Sequence, residues 1–401
     1  MINLQGKERI YGLDALRASL MLLGVILHST LAYGTLDLGD GWRIKDPVSQ
    51  SKAFDVLIDF LHLFRMPVFF VVSGFFAAYL YFQRGAHAML INRMRRIGAP
   101  FVVFWIVLFP VVVFSVIYSL ANIAGSVNAA SDAFSLLFTG AIWSNANTMH
   151  LWFLYYLTIF TLIFWLGSLL NRSYLKIELP RLKGFFRRAF TRVWHPLLFV
   201  PVTFFTLIWI GAPSFEGSTS MFPSAPSLIG YLYFYGFGWL LYRNADQIFV
   251  LTASYRTYVL IILPLYIVRL AIFVAMEGNK SQLLVLAQIS IAALIIWLWV
   301  FSLIGVFIRV FKSHSAPVSY LSDASYWVYL VHIPFVMIGQ GVLAHENLTA
   351  GVKFTIVTIT ALSFCFLTYH LFVRHGLVGN FLNGRRLHDV HGEKTSTHAA
   401  N

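Results

Sequence analysis

Apolar runs about as long as a bilayer is thick recur along this chain, and they leave it one class of fold. A hydrocarbon layer about 30 Å thick takes roughly 20 residues of helix to cross. With no water inside it, each backbone N–H and C=O must find its partner within the segment. Such runs lie near residues 11–34, 62–83, 98–120, 149–170, 195–211, 228–242, 257–276, 283–308, 325–344 and 352–373, the fifth and sixth of them short. Only 11% of the 401 residues are charged, 59% are hydrophobic and the mean hydropathy is +0.74, against about 25% charged residues in a soluble domain. The expected fold is an all-α, polytopic transmembrane helix bundle of about ten spans. One transmembrane domain takes residues 1–380, and a polar, disordered cytoplasmic tail takes residues 381–401. No short h-region with a small-residue cleavage site opens the chain, so the first span is expected to direct insertion.

The net charge of +13 raises nucleic acid as a partner, but its distribution argues against one. With the N-terminus inside, 21 of the 29 basic residues fall in inner segments and 5 in outer ones (Arg43, Lys45, Lys52, Lys280 and Lys353), while Arg17, Arg65 and Arg269 fall within spans. Lys and Arg collect on the cytoplasmic side of membrane proteins, so both termini are placed there. The longest inner connection, Asn171 to His195, carries seven basic residues and the aromatics of LKGFFRRAFTRVW. It is expected to lie as an amphipathic helix against anionic membrane lipid. No internal repeat of fixed period is visible, which weighs against an inverted-repeat transporter.

Two ionisable residues stand in the first span, YGLDALRASLMLLGVILHSTLAYG. Such residues are rare in lipid, usually face the bundle interior, and are functional-site candidates by default. Eleven residues at about 100° each bring Arg17 and His28 to within roughly 20° of one face, about 16 Å apart along the axis. Histidine is the natural general base near neutral pH; a structural histidine is the plain alternative. Asp14 stands three residues before Arg17, where it can pair with it on one face.

Four further segments carry candidates. In DFLHLFRMPVFFVVSGFF, Arg65 precedes Pro67 and can face the same outer cavity as His28. Ser73-Gly74 follows, either as a packing notch or as a gap that lets something slender pass. In NRMRRIGAP, Arg93, Arg95 and Arg96 serve as a positive-inside anchor or as forked ligands for the phosphates of a cytosolic cofactor. His150 in MHLWFLYY opens the fourth span, where an aromatic-belt histidine is the alternative. His332 in SYWVYLVHIPF lies in the inner half of the ninth span, closer to a cofactor path than to an outer reaction site. Arg269, deep in the seventh span, either pairs with an acid or carbonyl of another helix or binds an anionic substrate group. The single cysteine, Cys365, lies in an apolar run, so neither a disulfide framework nor a thiolate metal site is available; no metal and no permanently bound cofactor are expected. GxSxG, Walker A, HExxH and EF-hand patterns are absent from the sequence.

Together these segments resemble the membrane acyltransferase-3 family. The shared features are an arginine and a histidine eleven residues apart in span one (Arg17, His28), FFVVSGFF in span two, Arg93-x-x-Arg96, HLWFL at His150 and YLVHIPF at His332, over about residues 10 to 375. YGLDALRASLMLLG and FLHLFRMPVFFVVSGFF look closest to the branch associated with succinylating periplasmic, osmoregulated glucans. The resemblance implies a multi-pass enzyme of a bacterial inner membrane that moves an acyl group from cytosolic acyl-CoA, succinyl-CoA in this branch, to a sugar hydroxyl outside. No soluble esterase-like domain of the kind fused to some relatives is seen, so the membrane part is expected to complete the transfer. His28 is then the base, with Arg17, Arg65 and His150 in the catalytic set. Arg93, Arg96, Ser73 and His332 line the donor's path, and Arg65 or Arg269 meets a succinyl carboxylate. Proteins of glucan synthesis are implied as partners. An O-acetyltransferase of another cell-surface polysaccharide, a transporter of glucan or lipid-linked sugar, and an inactive scaffold are the alternatives.

Overall fold

The computed structural model describes residues 11–137, 140–170, 193–278 and 281–383, all helix and loop with no strand among them. The connection expected to lie on lipid (171–192) and most of the expected tail (384–401) fall outside the described residues.

Among the described residues, eight helices are long and apolar enough to cross a membrane, and the chain is a multi-pass membrane protein. They are Tyr11–Thr30, Lys52–Arg84, Ala86–Ile123, Ile142–Leu170, Ile248–Met276, Gln282–Val310, Ala316–Val342 and Ala350–Val373. The two remaining expected spans are the short ones. Residues 195–211 yield the apolar helix Val200–Ile210, which at 1.5 Å per residue covers about half a bilayer. Residues 228–242 lie in Ala225–Arg243, where serine, glycines and tyrosines dilute the apolar run.

We label the elements that build the site α1 (Tyr11–Thr30), α2 (Lys52–Arg84), α3 (Ala86–Arg93), α4 (Ala99–Ile123), α5 (Trp152–Leu170), α6 (Ala225–Arg243), α7 (Tyr255–Gly278), α8 (Gln282–Val310), α9 (Ala316–Val342) and α10 (Ala350–Thr368). Between two-thirds and three-quarters of the most apolar stretch of α1, α2, α8 and α9 is buried. One-third or less is buried in the spans that contain α4, α5, α7 and α10. The first four therefore form the inner ring. The others turn side chains such as Val107, Leu260 and Ile359 outward, as a lipid-facing layer should.

Small residues set the inner crossings. A Cβ at Gly74 of α2 would meet the backbone of Tyr235 on α6, and one at Gly238 of α6 would meet the backbone of Val71. The two helices thus touch backbone to backbone, the geometry small residues permit in membranes. Gly74 is a packing notch, and the expectation of a slender passage there is not met. Gly12 of α1 stands in the same relation to Phe307 and Ile308 of α8.

The loop after α1 is held by one buried ion pair and by charged side chains bonded to backbone, residues that the sequence disguised as stray outer charges. Lys353 of α10, fully buried, donates from Nζ to Asp46 Oδ2 at 2.7 Å and to the Ala344 carbonyl at 3.1 Å. Asp46 Oδ1 accepts from the N–H groups of Val48 and Ser49. Lys45 Nζ donates to the carbonyls of Leu31 and Gly34 just past the end of α1, where helix carbonyls lack donors and a cation is favoured. Burial pulls the Lys45 ammonium below the ordinary lysine range, and Asp55 and Asp37 partly offset it. Asp55, in the first turn of α2, accepts from the N–H and hydroxyl of Thr35 and the N–H of Leu36. This loop delivers Trp42 to the end of α1.

Candidate active site

His28, in the last turn of α1, opens onto a cavity of about 1550 Å³ that His62, Arg65, His150, Trp42 and Arg269 also line. Its Nδ1 lies 2.8 Å from Nε2 of His332 on α9. The proton positions follow from the partners. His332 Nδ1 faces two backbone carbonyls, Tyr329 at 2.8 Å and Val328 at 3.1 Å, and a carbonyl can only accept. The His332 proton is therefore on Nδ1, its Nε2 is a bare lone pair, and His28 must donate from Nδ1. In the neutral ring this leaves Nε2 of His28 a lone pair, without a protein partner among the described residues. Trp42 lies parallel to the His28 ring at 5.6 Å and 3°. Its indole N–H donates to Gln340 Oε1, whose amide nitrogen donates to the His28 and Ser29 carbonyls. The imidazole is thus fixed in position and tautomer, the state a general base needs.

Proline chemistry brings the third histidine in. Pro334 lacks an N–H, so the Leu330 carbonyl four residues earlier loses its helical donor. His150 Nε2 takes that place, donating to Leu330 O at 2.9 Å. Tyr329 answers by donating its hydroxyl to the His150 carbonyl at 2.7 Å. His150 stands edge-on to His332 with ring centres 5.4 Å apart. The preceding residue, Met149, holds φ +51°, a left-handed conformation that costs a non-glycine residue energy and persists where surroundings impose it.

Arg65 of α2 is 9% exposed. Its Nη1 lies against Gly24 of α1, where any Cβ would strike it. Its Nε is buried without a hydrogen-bond partner, and no carboxylate pairs with it among the described residues. A buried cation left this way is poised for an anion. Arg269 is committed instead. Its Nη2 and Nε grip both carboxylate oxygens of Asp59, the first at 2.5 Å, and Nη1 donates to the Gln288 carbonyl. Of the two arginines expected for a substrate carboxylate, Arg65 is the one with capacity to spare.

Arg17 does not join His28. It lies toward the other end of α1, with its Nη2 3.7 Å from Asp14 Oδ1, and its charge acts on Arg93 and Arg96. Arg93 is buried and donates from Nη2 to the Ser73 carbonyl at 2.6 Å. Residues Met94–Gly98 form a π-helical turn between α3 and α4, the kind of helix defect often found at functional sites. The Arg96 carbonyl in that turn accepts from the Tyr326 hydroxyl of α9. The expected residues thus fall into two groups, one at each end: His28, Arg65, His150 and His332; and Arg17, Arg93, Arg96 and Ser73. His332 changes sides relative to its expected placement. α9 begins at Ala316, nine residues before the apolar run, so His332 lies beyond its midpoint and touches His28.

A family model described as an acyltransferase domain matches residues 10–370. The chain belongs to the acyltransferase-3 family. It is an acyltransferase, and its family implies an acyl donor and a polysaccharide acceptor in general. Among curated proteins it is similar to glucans biosynthesis protein C of Escherichia coli O157:H7, 23% identical over 392 residues that cover 94% of this chain and 95% of that one. It is also similar to the protein of that name from Salmonella paratyphi B, 38% identical over 92 residues, 23% of each chain. No solved structure matches it. Sequence reasoning within this acyltransferase-3 chain missed Trp42, Gln340, His62 and the partner of Arg269. Only the position of Pro334, four residues after Leu330, signalled a carbonyl awaiting a donor.

Proposed function

We propose that this acyltransferase is an O-acyltransferase of a bacterial inner membrane, termini in the cytoplasm, that transfers succinyl from acyl-CoA to a hydroxyl of a periplasmic glucan. The bare Nε2 of His28, fixed by His332 and facing a cavity beside Arg65, is the observation that carries the reading. The similarity to proteins named for glucan biosynthesis supplies the acceptor class.

In this scheme Arg17, Arg93 and Arg96 hold the phosphates of CoA at one end. The pantetheine arm then has about 16 Å to cover along α1 to reach His28. His28 Nε2 takes the hydroxyl proton as the sugar oxygen attacks the thioester carbon. The tetrahedral intermediate collapses with cleavage of the C–S bond, the ester stays on the sugar, and the CoA thiolate leaves with the proton from His28. Arg65 is the cation in reach of the acyl group and meets the succinyl carboxylate. The cavity exceeds the range of about 300–1,000 Å³ usual for a single small ligand, as a site for an acyl group and a sugar together should.

The test is mass spectrometry of periplasmic glucans from cells lacking the protein, complemented with wild type or His28→Ala at equal membrane levels. A mass increment of one succinyl group with wild type, lost by about 10² to 10⁴-fold in the variant, is expected. Equal modification by both would sink the base assignment. An acetyl increment would change the donor, and no increment with wild type would return the transporter reading.

A further inference from the structure

His62 lines the cavity and has no task in the scheme above. It stands on α2 one turn before Arg65 and one turn after Asp59, and it lines the same cavity as His28. Its Nδ1 lies 2.8 Å from the Ile58 carbonyl of its own helix. That carbonyl can only accept, so the proton of the neutral ring is on Nδ1 and Nε2 is a lone pair. No group among the described residues donates to it. His62 is close enough to His28 for their charges to interact. It is also within electrostatic reach of Glu216, from the loop before α6, whose side chain is exposed, lines the same cavity and has no hydrogen-bond or ion-pair partner among the described residues.

We propose that His62 and Glu216 form the acceptor subsite, in which His62 Nε2 accepts a hydrogen bond from a sugar hydroxyl near the one His28 deprotonates. This rests on the acyl-transfer reading. A lone-pair nitrogen and a carboxylate on one cavity wall are acceptor-only groups, and a polyol is a ligand whose hydroxyls can donate to both without adding net charge. A thioester or acyl chain has no O–H or N–H to offer at that point, and a second anion would be repelled by Glu216. The cavity wall thus divides by chemistry. Arg65 favours the anionic end of the acyl group, and His62 with Glu216 favours hydroxyls.

The test uses the full chain in lipid nanodiscs with succinyl-CoA as donor and a linear glucan as acceptor, measuring steady-state transfer against each substrate. His62→Phe is expected to raise the acceptor KM about tenfold, the weight of one buried hydrogen bond, with kcat and the donor KM within about twofold. His62→Gln, whose side-chain oxygen restores an acceptor, is expected to recover most of that loss; a merely structural histidine would show no such recovery. Glu216→Gln, at an exposed site where folding is not at stake, is expected to raise the acceptor KM alone. Wild-type transfer with an unchanged acceptor KM in all three variants overturns the inference, as does a fall in kcat with both KM values unchanged. A wild type that leaves the glucan unmodified overturns the acyl-transfer reading itself, and the inference with it.

Discussion

The two ends of α1 solve opposite problems with the same kind of residue. At the His28 end, three ring nitrogens give their protons to neighbours: His28 to His332, His332 to two carbonyls of α9, and His150 to the carbonyl that Pro334 leaves free. The outcome is a set of neutral, oriented imidazoles, the state that takes up a proton. At the Arg17 end, cations face one another, and the Asp14 carboxylate stands 3.7 Å from Arg17. Arg93 is steadied by a carbonyl, not by an acid. One end is arranged for proton transfer, and the other accumulates positive charge that an incoming anion would meet.

The contrast requires the His28 end to be rigid, and its rigidity depends on the loop that delivers Trp42. Lys353→Met breaks the buried pair with Asp46 and strands a carboxylate inside the protein, which typically costs about 3–5 kcal/mol. The expected outcome is a large fall in thermal stability in detergent. The double variant Lys353→Met with Asp46→Leu should recover much of it. If the single variant melts with wild type, the loop is held by something else and the rigidity argument fails.

Next in size is Arg65→Gln, which removes the cation while keeping polar atoms. A hydrogen bond to a charged group is worth about 1.5–3 kcal/mol, so succinyl transfer should fall about 10- to 100-fold more than acetyl transfer by the same protein. Equal loss with both donors would mean that Arg65 serves the oxyanion common to them. It would also blur the line between the acyl and proton-transfer roles at this end.

Sequence alone located both ends because ionisable residues in apolar runs are conspicuous. His28, Arg65 and His150 all reach one cavity, and Arg17, Arg93 and Arg96 gather at the far end. Depth was harder to read. α2 begins at Lys52 and α9 at Ala316, about ten residues before their apolar runs. Their first turns mix polar residues with apolar ones that pack on other helices, and hydropathy registers only the average. That offset put His332 on the wrong side and hid His62 at an apparent interface. The two short spans are less distinct for reasons of length and composition: Val200–Ile210 has only 11 residues, and serine, glycines and tyrosines dilute the apolar run of Ala225–Arg243. Trp42 and Gln340 gave no signal, since a loop tryptophan and a helix glutamine gain meaning only from what they touch.

The Arg17 end can be probed through the donor. Arg93→Gln and Arg96→Gln should each raise the KM for acyl-CoA about tenfold while leaving the acceptor KM unchanged, and the shift should shrink for a donor lacking the 3′-phosphate. Because charge attraction is screened, raising salt should narrow the gap between wild type and variants. A larger effect on kcat than on the donor KM would place these arginines nearer the chemistry than the structure does.

The smallest effect tests how far the rigid end extends. Tyr329→Phe removes the hydroxyl that donates to the His150 carbonyl and leaves the ring in place. One such bond contributes about 0.5–1.5 kcal/mol, so kcat should fall by no more than about tenfold with both KM values unchanged. The His150–Leu330 bond still ties the two segments together, which is why the loss should be partial. A fall as deep as that of His28→Ala would show that His150 belongs to the reacting group and does not merely brace α9. No change at all would show that the Leu330 carbonyl alone keeps His150 in place, and that the proline, rather than the tyrosine, builds this corner of the site.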